Sequence, residues 1–114
     1  MNSFTIKNHT LHADNVALNK IADTFGTPCY VYSKSALMQA FQTFSAGFAG
    51  TDYLVCFAVK ANHSIAILNL FARLGAGFDI VYGGELARVL AAGGDPQKIV
   101  FSSVGKTAVE MHAD

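Results

Sequence analysis

Hydrophobic and polar positions along this chain follow two different rhythms, one before and one after Tyr53. In the first part, Phe4 to Leu11 mixes apolar and polar residues in a way that suits a short extended strand. Asp14 stands where a side-chain oxygen can cap a helix. Leu18, Ile21, Ala22 and Phe25 then recur at the i, i+3, i+4, i+7 spacing of one helical face, with Gly26 as the stop. Thr27-Pro28 interrupts the chain, and Cys29-Tyr30-Val31-Tyr32 reads as a strand. Ser35 opens a second helix, with Leu37, Ala40, Phe41, Phe44 and Phe48 on its apolar face and Gly47 and Gly50 ending it.

From Tyr53 on, strand and helix alternate with short connections. Residues 53–60 form an apolar strand ending on a lysine, and Ser64 can cap a helix carrying Ile67, Leu68, Phe71 and Leu74 before Gly75 and Gly77. Phe78 to Tyr82 is a strand that Gly83-Gly84 turns into a helix with Leu86, Val89 and Leu90. Gly93-Gly94-Asp95-Pro96 makes a turn into the strand Ile99-Val100-Phe101. Thr107 and Glu110 have capping-box spacing, each side chain able to satisfy the other's backbone donor. This rhythm predicts an α/β fold with a parallel sheet and helices outside it, either doubly wound or a (β/α)8 TIM barrel. A full barrel takes about 250 residues, so at most about the first three β/α units fit here. The helix announced at Thr107 has hardly begun at Asp114, which points to an N-terminal piece of a longer protein. Three parallel strands leave an open edge and half a core, so stability in isolation is not expected.

Composition narrows the function classes. The chain has 114 residues, 52% hydrophobic against 14% charged, enough for a packed core in one domain. Eight basic and eight acidic side chains cancel and no basic run exists, which argues against a nucleic-acid partner. The first fifteen residues hold no signal-peptide core, and the longest apolar run, Leu54 to Val59, is too short to cross a bilayer. Cys29 and Cys56 lie in separate apolar strand patterns and read as small buried hydrophobes rather than a disulfide or a metal pair. A reduced, cytoplasmic setting and no membrane partner are expected.

The candidate chemistry centres on Lys60. A lysine closing an apolar strand can be a snorkelling surface residue. Alternatively, its ammonium is desolvated, which favours the neutral, nucleophilic amine that condenses with an aldehyde cofactor. Alternation along the strand puts Tyr53, Val55, Phe57 and Val59 on one face, against the helices. Leu54, Cys56, Ala58 and Lys60 fall on the other, shrinking toward the lysine and leaving space for a flat ring. By the same alternation Asp79 opposes Phe78, Ile80 and Tyr82. It is either an interior carboxylate near Lys60 or a surface aspartate at a helix start. Gly75-Ala76-Gly77 follows a helix and precedes a strand, the reverse of a dinucleotide loop, and Gly105-Lys106-Thr107 lacks the upstream glycine of a phosphate loop. His9 and His12 have no further ligands near them, so no metal site is expected; His63 and His112 have no nameable partner. Glu85 opens a helix, where a negative charge is favourable without a functional role.

Several ordered segments bear a family resemblance. FAVKANHSIAIL, with Lys60, resembles the cofactor-lysine motif of the alanine-racemase-like, fold-type III pyridoxal-phosphate enzymes. GAGFDIVYGGELARVLAAGG and DPQKIVFSSVGKT are similar to the decarboxylase branch acting on basic amino acids. TPCYVYSKSAL is similar to the opening segment of the diaminopimelate decarboxylases. The match runs from about Thr27 to Thr107. It implies a barrel from residue 33 to 114, truncated, preceded by a segment 1–32 that contacts a β-rich second domain. It further implies pyridoxal 5'-phosphate as cofactor, carried on Lys60, with Ala58 and Asp79 as secondary contacts. The implied reaction converts meso-2,6-diaminopimelate to L-lysine and carbon dioxide, in a homodimer when full length and with this piece alone inactive. An ornithine or arginine decarboxylase, or a non-catalytic cofactor-binding relative, remains the alternative. The departures are Tyr82 where serine is usual, His63 where a small or amide residue is common, and Ser103 where glycine is typical. Tyr82 is expected to face the helices.

Overall fold

The computed structural model describes residues 2–102 and 107–113, which fall into two compact units, Met1–Ala49 and Gly50–Asp114. Ser103 lies outside the described residues, as do Gly105 and Lys106. Among the described residues no helix is long and apolar enough to cross a membrane.

The first unit opens with a three-stranded antiparallel sheet, β1 (Phe4–Lys7), β2 (Thr10–Ala13) and β3 (Val16–Ala17), in that order. The single strand expected over 4–11 is therefore a hairpin. Asn8 and His9 both take positive φ, 52° and 65°, the pairing that closes a two-residue hairpin with the twist of its strands. Asp14 does not cap the first helix, α1 (Leu18–Phe25), whose N-cap is Ala17 without a side-chain bond. Asp14 sits instead in a turn at φ 54° and accepts hydrogen bonds from Ser33 Oγ (2.9 Å) and Ser35 Oγ (2.5 Å). Those bonds hold its carboxyl below the ordinary aspartate range, Ser35 contributing most. Gly26 ends α1 as expected, its N–H donating to Ala22 O. Residues 29–32 form no strand, because no ladder partner satisfies their backbone among the described residues. Tyr30 is 92% exposed, and Cys29 is an exposed free thiol rather than a buried one. Helix α2 (Lys34–Ala46) begins one residue before Ser35, with Ser33 as the cap that accepts from Ala36 N–H at 3.1 Å.

The second unit is a parallel sheet in the order β4 (Cys56–Ala58), β5 (Gly77–Ile80), β6 (Ile99–Phe101). Helix α3 (Ile65–Arg73) links β4 to β5, and α4 (Gly83–Ala91) leads from β5 toward β6, giving the expected α/β alternation. The core lies between sheet and helices: Phe78, Ile80, Leu68 and Val89 are fully buried, with Phe71, Leu86 and Phe101 nearly so. Each such side chain contributes about 1.5–3 kcal/mol by leaving water. Phe57 stacks on Phe71 of α3, ring centroids 4.4 Å apart. Gly94 allows the close approach that brings the α4–β6 connection onto Val89; a Cβ there would lie 2.4 Å from Val89 Cγ1. Helix α5 (Ala108–Ala113) starts with the expected capping box, Thr107 N–H donating to Glu110 Oε1 (2.9 Å) and Glu110 N–H to Thr107 Oγ1 (3.1 Å). Glu110 Oε2 also accepts from the Gly83 N–H at the start of α4.

Candidate functional site

The C-terminal ends of parallel strands are where α/β sheets gather their chemistry, and β4 and β5 bring two of the three expected residues together there. Cys56 lies opposite Gly77, Phe57 opposite Phe78, and Ala58 opposite Asp79; Asp79 in turn lies opposite Val100 and Ile80 opposite Phe101. Alternation divides the sheet into two faces. One carries Phe57, Phe78, Ile80 and Phe101 and builds the core with the helices. The other carries Cys56, Ala58, Gly77, Asp79 and Val100, small or polar apart from the last. A Cβ on Gly77 would lie 2.6 Å from Lys98 O, 2.7 Å from Cys56 Sγ and 3.1 Å from Leu54 Cδ2, so only glycine fits there, and Gly77 is buried beneath these groups.

Asp79 is half-buried on this face, and its Oδ1 accepts a hydrogen bond from Ser102 Oγ at 2.6 Å. The Cys56 thiol beside it is pushed up, first by burial and then by the Asp79 carboxylate, as expected for a group whose anion would meet a like charge. Cys56 is half-buried, closer to expectation than Cys29.

Lys60 is placed differently from expectation. The β4 ladder ends at Ala58, and Val59–Ala61 forms a single 3₁₀ turn closed by Asn62 N–H to Val59 O at 3.1 Å. Val59 takes the last buried apolar position, so Lys60 is carried past the strand and lies exposed. The expected strand over 53–60 is thus shorter, and the expected burial of the amine among apolar neighbours is corrected. The turn is fixed on its far side: Asn62 Oδ1 accepts from Ser64 N–H (3.0 Å), and Arg88 Nη1 of α4 donates to His63 O (3.1 Å). Among the described residues no hydrogen bond or ion pair joins Lys60 to Asp79.

Tyr82 also departs from expectation. It is the N-cap residue of α4 and is 50% exposed rather than packed on the helices. Its ring covers Gly84, where a Cβ would meet Cε2 at 2.8 Å. Two residues were missed. Glu85, read as a helix-start charge, is 1% exposed, and its Oε1 accepts from Val81 N–H at 2.7 Å. Its place at the third helical position, where a glutamate reaches back to free donors before the helix, is the signal that would have found it. Ser102 could have been found by continuing the alternation from Val100.

This donor set fits an aldehyde-bearing aromatic cofactor. A primary amine stands just past the strand end, two residues from the small Ala58, with the Asp79 carboxylate opposite that alanine. Residues 34–113 match the pyridoxal-binding domain of the pyridoxal-dependent decarboxylases. The diaminopimelate decarboxylase of Pseudomonas aeruginosa is 55% identical over 111 residues, which cover 97% of this chain and 27% of that protein. A crystal structure of the diaminopimelate decarboxylase of M. jannaschii superposes with a TM-score of 0.89 at 33% identity, covering 96% of this chain and 27% of its own. The Helicobacter pylori diaminopimelate decarboxylase complexed with L-lysine gives 0.80 at 42% identity, over 84% of this chain and 24% of its own. The chain thus spans about a quarter of the length of the relatives it matches.

Proposed function

The chain belongs to the pyridoxal-dependent decarboxylases, and on that premise we propose that it forms the cofactor-lysine part of a diaminopimelate decarboxylase. The proposed reaction takes meso-2,6-diaminopimelate to L-lysine and carbon dioxide. The observation that carries the reading is the exposed Lys60 amine, two residues past Ala58, whose register partner on β5 is Asp79. The chemistry supplied by pyridoxal phosphate, when bound, is an aldehyde that captures amines and a ring that takes up the electron pair left as carbon dioxide departs. Lys60 holds the cofactor through Nζ. Its 3₁₀ turn, tied at Asn62 and His63, fixes the backbone from which that nitrogen reaches out past the end of β4. Ala58 gives the ring a small neighbour on β4, and Asp79 opposite it supplies a negative charge that orients a cationic group.

In this reading β4, β5 and β6 are the first strands of a (β/α)8 barrel beginning near residue 33. The 1–32 segment, with its small antiparallel sheet, belongs beside a β-rich domain. The cytoplasm as location and a homodimer as assembly complete the proposal. The diaminopimelate assignment rests on the 55% identity to a protein of that name across 97% of the chain.

Borohydride reduction of the full-length protein after addition of pyridoxal phosphate should label the peptide containing Lys60, and Lys60→Ala should remove both label and turnover. Carbon dioxide release should be fastest from meso-2,6-diaminopimelate, with ornithine and arginine as comparisons. Label on another lysine, or full activity of Lys60→Ala, overturns the assignment.

A further inference from the structure

The sheet face that bears Ala58 and Asp79 carries a hydroxyl that the expected site residues do not include. Ser102 follows β6 by one residue and shares the face of Val100 and Asp79. Its backbone N–H donates to Ile80 O at 3.0 Å, adding a rung to the β5–β6 ladder. Its Oγ donates to Asp79 Oδ1 at 2.6 Å. Two bonds to consecutive residues of β5 hold Ser102 at both backbone and side chain. A hydroxyl donating to a carboxylate at this length is among the stronger hydrogen bonds.

The consequence falls on Asp79. It lies on the central strand, between Ala58 on β4 and Val100 on β6, and an aspartate free to rotate there can swing to either side. The bond to Ser102 draws the carboxylate toward β6, away from Ala58 and from the strand that leads to Lys60. Cys56 on β4 already senses the carboxylate, which lifts its thiol after burial does, so it reports on where that charge sits.

We propose that Ser102 is a positioning residue: its hydroxyl keeps the Asp79 carboxylate on the β6 side of the face, leaving the surface over Ala58 clear for the planar cofactor. This rests on the reading that Lys60 carries pyridoxal phosphate. The rival role is structural only, Ser102 lengthening the ladder through its backbone, which any residue but proline would do.

The test uses the full-length protein with Ser102→Ala, Ser102→Val and Ser102→Thr, the last keeping a hydroxyl. Without cofactor, the pH midpoint of Cys56 alkylation, read by peptide mass spectrometry, should rise in the Ala variant as the carboxylate relaxes toward β4. The threonine variant should keep the wild-type midpoint. The dissociation constant for pyridoxal phosphate should weaken about two- to tenfold in Ala, the scale of one lost hydrogen bond, and return to near wild type in Thr. If Ser102→Ala fails to fold, Ser102→Val, close in shape to threonine, carries the same expectations. Unchanged Cys56 titration and cofactor affinity in the hydroxyl-free variant, or a threonine variant as impaired as alanine, overturns the proposal. Borohydride trapping separates the two levels. Failure to label Lys60 in the wild-type protein sinks the cofactor reading, whereas normal labelling with an inert Ser102→Ala sinks only the role of Ser102.

Discussion

Glu85 offers the sharpest energetic test, because its buried carboxylate supports the turn that follows Asp79. The Val81 N–H has no place in the β5 ladder or in α4 and is satisfied by Glu85 Oε1 at 2.7 Å. Truncation by Glu85→Ala removes that acceptor, itself 1% exposed, and leaves the donor of the half-buried Val81 unpaired. An orphaned buried donor costs about 1–3 kcal/mol, and the one lost methylene adds roughly 0.8 kcal/mol. Relief of the carboxylate's own desolvation offsets part of this, so the net loss is about 1–3 kcal/mol. Glu85→Gln keeps an oxygen of the same reach, and its cost is expected to stay within about 1 kcal/mol. Amide hydrogen exchange at Val81, followed by mass spectrometry in the full-length protein, reads the difference locally. A 2 kcal/mol loss corresponds to roughly thirtyfold faster exchange in the alanine variant, with little change in glutamine. Equal protection of Val81 in both variants would show that the bond does not hold the turn.

Three further outcomes are expected. Asp14 has its carboxyl held below the ordinary range by Ser35 and Ser33, so the stability it contributes is complete above the unfolded aspartate value and drains away as pH falls through the lower folded one. Thermal melts of the wild-type protein should therefore steepen in their pH dependence below about pH 4, and Asp14→Asn, which tolerates the positive φ, should flatten that limb. Identical acid limbs would refute the role. Gly94→Ala places a Cβ 2.4 Å from Val89 Cγ1 and 3.2 Å from Phe78 Cε2, and a loss of about 1–3 kcal/mol is expected in chemical denaturation. An unchanged denaturation midpoint would mean that this turn yields easily. Lys60→Ala is expected to abolish turnover and reductive labelling without lowering the melting temperature of the cofactor-free protein, since the side chain is exposed.

Much of the second unit was legible from the chain because its signals are local. Leu68 and Phe71 on α3, Leu86 and Val89 on α4, and the short apolar runs of β5 and β6 gave the α/β order. Alternation correctly put Phe57, Phe78 and Ile80 opposite Ala58 and Asp79. Strand ends were less legible, since a ladder stops where its neighbour stops: Cys56 pairs with Gly77, and nothing in residues 53–55 announces that pairing begins only there. The exposure of Lys60 follows from the same cause, since the turn after Ala58 is set by where Val59 finds cover. In the first unit the strand pattern of Cys29–Tyr32 was misleading because a strand exists only with a partner. The role of Asp14 depended on serines 19 and 21 residues away, beyond the reach of any local pattern.

Glu110 sits where two helices begin, one oxygen serving Thr107 and the other Gly83. A side chain that must feed two donors with two different oxygens leaves the position almost no substitutes. Glutamine would turn an NH₂ toward one of the N–H groups, and aspartate, a methylene shorter, would have to let one of them go. A homologue that changes this residue is therefore expected to have rebuilt both helix starts, so positions 83, 107 and 110 form one heritable unit.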